Sequence, residues 1–406
     1  MKTLFKNCGI IDGLGGRIEK GWLLIEEDRI SLVGEEEVPQ GIEAEVDPGH
    51  TINATGKSIL PGLIDCHVHL TLDGSPDPIN NLIKTADPTA TLQTARNAGV
   101  TLKAGITTVR DLGSKNFIDI CVRDGIASGL IAGPRMLCAG QMICITGGHG
   151  WQVSCQADGP DEVRRAVRKQ VHADVDVVKF MATGGVLTKG GRPGIPQLNP
   201  DELKAGIEEA HKVSLKTAAH SQGLEGTRNA VYAGIDSIEH GVSLDDEIIE
   251  EMIKRDVFLV PTLSAPINIL RRGVEVGIPD EYVEKTKRVH AGHIEALLRA
   301  KKAGVQIVMG TDAGTPFNLH GENASELVYF VDNGFSAMEA ILCATSRAAE
   351  LLGIQDRVGS INSNMQADLL VVDGNPVEDI SSLADPHRIS AVYKGGKKVS
   401  GKTATS

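Results

Sequence analysis

The chain is 406 residues long with a formal net charge of −12, 46 glycines and only 3% aromatic residues. The acidic balance argues against nucleic acid as the main partner, and without a run of about 18 apolar residues no membrane-spanning helix is expected. The length exceeds one small core, and abundant glycine with few aromatics suits an α/β protein with many tight strand-to-helix turns, one large unit plus an appendage.

In chain order, 1–57 read as short strands, 3–10, 21–26 and 29–33, separated by turn residues such as Asp12-Gly13 and Glu27-Asp28. No apolar leader follows Met1, so a cytoplasmic protein is expected, and the seven cysteines form no Cys-x-x-Cys, as befits reduced, core-filling thiols. From Ile59 to about Gly353 short apolar runs alternate with helical spacing. Eight runs read as strands: 59–67, 106–111, 135–140, 175–181, 215–220, 235–240, 257–262 and 305–312. Between them, Val163, Val167 and Val171 recur at helical spacing, and Asn199, Pro200 and Glu202 spell a helix start. Strand character returns at 367–372 and 389–393.

The expected architecture is α/β: a (β/α)8 TIM-like barrel over 58–358, with a small β-sandwich domain made jointly by 1–57 and 359–406. A doubly wound open sheet is the alternative, and the lack of hairpin-like connections makes the central strands parallel.

A barrel carries its chemistry at the strand C-termini. His67 and His69, two apart and therefore on one face of a strand, end the first; Lys179 lies late in the fourth, His220 ends the fifth, His240 the sixth and Asp312 the eighth. The histidines at 172, 211, 290 and 293 fall in helical stretches and those at 50 and 387 in the terminal regions, so all six are read as structural or surface residues.

In sequence order, the pieces Pro61-Gly62-Leu63-Ile64-Asp65-Cys66-His67-Val68-His69, Val177 to Gly185, Ala218-Ala219-His220, Ser237-Ile238-Glu239-His240-Gly241, Gly310-Thr311-Asp312-Ala313-Gly314 and Ala367-Asp368-Leu369 resemble the amidohydrolase superfamily. Within it they are similar to the binuclear imidazolonepropionase-like and Xaa-Pro dipeptidase-like group. The resemblance implies two divalent metal ions, usually zinc. His67, His69 and Asp312 would hold one and His220 and His240 the other, with Lys179, carboxylated by CO2, bridging both. It implies hydrolysis by a metal-bridging hydroxide, with Asp312 as general base and then acid. A histidine in Thr146-Gly147-Gly148-His149-Gly150-Trp151 would contact the scissile carbonyl.

Gln222 stands where proline-dipeptidase relatives often carry tyrosine, which puts strict Xaa-Pro specificity in doubt. The segment 187–194, with Lys189 and Arg192, reads either as a lid with cations for a substrate carboxylate or as a solvated loop. His320 could line the same mouth, and Asn323 reads as a helix cap. The expected activity is cleavage of an amide bond of a dipeptide or N-acyl amino acid, on a small, carboxylate-bearing substrate, by a homo-oligomer. Cyclic amide, imidazolone or xenobiotic amide or carbamate hydrolysis is the alternative, because the motifs specify a metal centre and not a leaving group. A non-catalytic amidohydrolase-like scaffold is the third reading, disfavoured because all six ligand positions keep competent residue types.

Overall fold

Both ends of the chain enter one sheet in the computed structural model, which describes residues 2–186, 193–273 and 280–401. The strand Lys2–Ile11 pairs antiparallel with Arg17–Glu26 and parallel with Thr51–Asn53 and Lys57–Pro61. Lys57–Pro61 in turn pairs antiparallel with Leu369–Asp373 near the other terminus. Side chains alternate between its faces, so the cross-strand pair Phe5 and Leu23 joins one apolar cluster while the neighbouring pair Leu4 and Leu24 packs with Trp22 and Val46 in another. The strands form a single eight-stranded sheet. That sheet folds over on itself: Phe5 meets Tyr393, three strands away, with ring centroids 5.3 Å apart, inside an apolar cluster drawn from both ends of the chain.

The expected first central strand, 59–67, is divided. Lys57–Pro61 belongs to the terminal sheet and Leu63–Val68 to the central unit. The chain crosses at Gly62, where an added Cβ would lie 2.2 Å from Thr107 Oγ1, so only glycine passes without displacing that side chain.

Leu63–Val68, Ile106–Asp111 and Arg135–Cys138 run parallel, as do Val177–Met181, Lys216–Ser221, Ser237–His240 and Phe258–Val260. Ile143–Cys144 and Cys155–Gln156 extend the second set; at two residues each, they are too short for an alternation pattern to reveal. A hydrogen bond from Asp176 N to Cys138 O, 2.8 Å, links the two sets. The segment 305–312 makes no ladder, contrary to expectation. It carries one bridge, Leu259 to Ile307, and Ala313 just beyond it bridges to Val68. The chain is pinched at Gly310, whose added Cβ would meet Val260 Cγ1 at 2.3 Å, and Asp312 turns to φ +61°.

Helices follow the strands. Pro160–His172 buries Val163 and Val167, and Pro200–His211 starts with the expected reciprocal bonds between Asn199 and Glu202. Among the described residues, no helix is long and apolar enough to cross a membrane.

Candidate metal centre

His67 and His69 reach Asp312 with the same atom type: their Nε2 atoms lie 3.4 and 3.3 Å from Asp312 Oδ1. Ligand atoms of these three residues all fall within 4.8 Å of one another, a spacing a cation could bridge. Asp312, His240 and Thr262 have φ of +61°, +70° and +55° at or just beyond strand ends. Backbone held in the left-handed region by non-glycine residues concentrates at functional sites, and here it surrounds one mouth of the parallel strands.

His220 and His240 complete the cluster. His240 Nδ1 is 2.7 Å from Thr262 Oγ1, whose own hydroxyl donates to Pro261 O. Thr262 therefore accepts from Nδ1–H, which leaves a lone pair on His240 Nε2 to accept from His220 Nδ1–H at 2.9 Å. His220 Nε2 has no hydrogen-bond partner although it is buried, and neither has Lys179 Nζ. Burial brings the Lys179 amine down to about 8, so a sizeable fraction is neutral near physiological pH. Burial also holds His67, His220 and His240 well below the ordinary imidazole range. Burial raises Asp312, but the adjoining His67 and His69 outweigh it and hold the carboxyl below its usual value. His69 differs: burial lowers it, but the hydrogen bond and charge of Asp312 outweigh that and hold it above its ordinary value. Four imidazoles, an ionised carboxylate and an orphaned buried amine make a donor set that fits divalent cations once His69 gives up its proton.

Behind this cluster the orientation of His67 is fixed by charge. Its Nδ1 donates to Glu239 Oε2 at 2.8 Å, and Glu239 Oε1 accepts from Arg110 at 2.8 Å and from Ser237 Oγ at 2.6 Å. Sequence spacing pointed to His67 but not to this buried Arg110–Glu239 pair. An Arg and a Glu within strands buried along their whole length were the available signal. Asp65 accepts from His67 N, Thr311 Oγ1 and Asn323 Nδ2, joining the first strand to the Asp312 loop. Asn323 is therefore not the expected helix cap: Ala324 takes that position, and the asparagine amide satisfies a buried carboxylate instead.

The cluster opens into a cavity walled by Leu72, Ile79, Leu82, Met142, Met181 and Val242 among others. His149 and Gln222 both line it. The His149 ring lies 4.4 Å from that of His220, and burial lowers it to about 4. His320 does not line the cavity; its Nε2 is engaged with Leu72 O at 2.9 Å. Arg192 and Lys189 lie outside the described residues. His293, expected to be structural or at the surface, is 2% exposed and lines the cavity. The signal for it was helical register: within Asp280–Ala303 it shares a buried face with Val283, Thr286, Ala296, Leu297 and Ala300.

The family described as the amidohydrolase family matches residues 58–399. The ochratoxinase of Aspergillus niger is 31% identical, with 97% of this chain and 85% of that protein aligned. A crystal structure of a Xaa-Pro dipeptidase with methionine in the active site superposes with a TM-score of 0.89 at 34% identity, covering 98% of this chain and 99% of that one. A prolidase complexed with N-methylphosphonate-L-proline gives 0.90 at 28% identity, covering 99% and 100%.

Proposed function

The chain belongs to the amidohydrolase family and is a hydrolase of carbon–nitrogen bonds, and from that premise we propose a binuclear metal-dependent enzyme cleaving an amide bond of a dipeptide or N-acyl amino acid. His67, His69 and Asp312 would hold one ion, and His220 and His240 the other. Lys179 would join them after its neutral amine adds CO2 and loses a proton to give a carbamate. Bound divalent cations supply Lewis acidity and an acidified water at neutral pH.

The chain's own groups do the rest. Asp312, its carboxyl held below the usual range, takes the proton as water adds to the carbonyl and returns it to the departing nitrogen. His149, a neutral imidazole in the cavity wall, donates an N–H to the oxyanion that develops. Glu239 and Arg110 keep His67 turned, and the apolar walls exclude water around the reacting bond. In the same reading the bridges of 305–312 and Ala313 close a (β/α)8 barrel, with 58–358 as the catalytic unit between 1–57 and 359–406.

The observation that carries this reading is the orphaned Lys179 Nζ, buried among imidazoles and Asp312. Metal analysis together with hydrolysis of a panel of Xaa-Pro, Xaa-Phe and N-acyl amino acids tests it. The expected result is about two metal equivalents, loss of activity on chelation and recovery with zinc. A metal-replete preparation that hydrolyses hydantoins or imidazolones and none of the linear amides would replace this substrate class.

A further inference from the structure

His293 extends from Asp280–Ala303 into the cavity wall, and its ring hydrogen-bonds the backbone of His240 and Pro261. Those carbonyls only accept, so a ring N–H must donate to them. His293 Nε2 is buried and has no partner, so the donating atom is Nδ1. A neutral imidazole with its proton on Nδ1 carries a bare lone pair on Nε2.

A second unpaired acceptor lines the same cavity. Gln222 Oε1 is buried without a partner, while its backbone is pinned by the bond from Gln222 N to Thr183 Oγ1 at 3.0 Å. Gln222, Val242 and Val289 also border the outer pocket that adjoins the cavity. Val289 stands one helical turn before His293, which puts both acceptors toward this side. A buried acceptor left unmade is costly, and two lining one cavity call for a ligand that brings donors.

We propose that His293 Nε2 and Gln222 Oε1 form an acceptor subsite for a hydrogen-bond donor on the substrate, the amino group of a dipeptide-like amide. The inference rests on the amide-hydrolase reading and narrows it: the cavity selects amine-bearing substrates over otherwise identical acyl compounds.

A matched pair tests it, Leu-Phe against 4-methylpentanoyl-Phe, which differ only in the α-amino group. The zinc-loaded protein is expected to favour Leu-Phe in kcat/KM by about tenfold or more, the value of a hydrogen bond to a charged group. Asparagine at 293 can still donate to the two carbonyls but offers nothing at the Nε2 position. His293→Asn should therefore shrink the preference about tenfold, chiefly through KM, and Gln222→Leu should lower the same ratio. Leucinamide and 4-methylpentanamide, compared by titration calorimetry, read the preference without turnover. If both substrates are cleaved and the ratio in both variants stays within twofold of the parent, the subsite is wrong. If His293→Asn does not fold, the Gln222→Leu ratio and the calorimetry on the parent decide. A parent protein that cleaves neither substrate while binding leucinamide selectively refutes the amide-hydrolase reading and leaves the subsite standing.

Discussion

Arg110→Met is the sharpest test of how the centre is held. Arg110 is 1% exposed and donates to Cys66 O at 2.6 Å, Ser237 Oγ at 3.0 Å and Glu239 Oε1 at 2.8 Å. Methionine fills a similar volume but brings no donor and no charge, so Glu239 becomes a buried carboxylate without a cationic partner. Breaking a buried pair from one side costs about 3–5 kcal/mol. Loss of the bond to the Cys66 carbonyl adds to it, and Glu239 keeps Ser237 Oγ as a donor. The balance favours about 4 kcal/mol, a large part of the ~5–15 kcal/mol that holds an ordinary domain together.

Chelator-treated protein unfolded in urea isolates this cost from any contribution of bound metal. The double variant Arg110→Met with Glu239→Gln should regain about half of it, because a neutral amide needs no countercharge. With Glu239 unrestrained, His67 loses its fixed orientation, and zinc affinity in the single variant should fall about 10–100-fold. A single variant within about 1 kcal/mol of the parent, with unchanged zinc affinity, would refute the claim that this pair positions the centre.

Gly62→Ala forces a Cβ against the Thr107 side chain at the crossing between the two sheets, and urea denaturation should show a loss of about 1–3 kcal/mol. Asn323→Ala leaves Asp65 with one fewer donor, which should cost about 1–3 kcal/mol in the same assay; an unchanged midpoint would show that Asp65 does not need this bond. Burial pushes Asp236 up, but His211, Lys216 and Thr217 outweigh it and depress the carboxyl below its ordinary range. A depressed carboxyl adds stability above its unfolded value of about 3.9 and surrenders it as pH falls below that. Asp236→Asn should therefore be less stable than the parent at pH 7, with the gap narrowing toward pH 2, and a gap independent of pH would contradict the assignment.

How much of this was legible from residues alone follows from how far each inference had to reach. The pairing of His67 with His69 depends only on strand alternation, and strand-end positions for Lys179, His220 and His240 follow once the runs are recognised, so local period and order were enough. Ile106–Asp111 matches its expected bounds because its β-branched Ile-Thr-Thr-Val start favours a strand, whereas 59–67 is divided at Gly62 beside Thr107, a residue 45 places further along the chain and invisible to any local pattern. The run 305–312 is apolar enough for a strand and bonds its neighbours on both sides, Val308 N to Leu259 O and Cys66 N to Met309 O, but it makes no continuous ladder and leaves extended backbone at Asp312, φ +61°.

His293 shows the limit most clearly, and also why it matters. A histidine on a helix has no preferred direction until the helix is docked, and its amphipathic register says only that it points inward, not into what. Once Asp280–Ala303 is placed beside the strand ends, the same side chain becomes part of the wall that a substrate must meet. The groups proposed to bind metal sit within strands or just beyond their ends, and the repetitive geometry of strands makes them readable in advance. Those proposed to select the substrate lie beyond the strand ends and on helices packed around them, where only tertiary structure fixes what they face. Chemistry shared across the family is on this account more legible than specificity, and a ligand contact in this cavity is better sought first among inward-facing polar residues of the surrounding helices than in the motifs themselves.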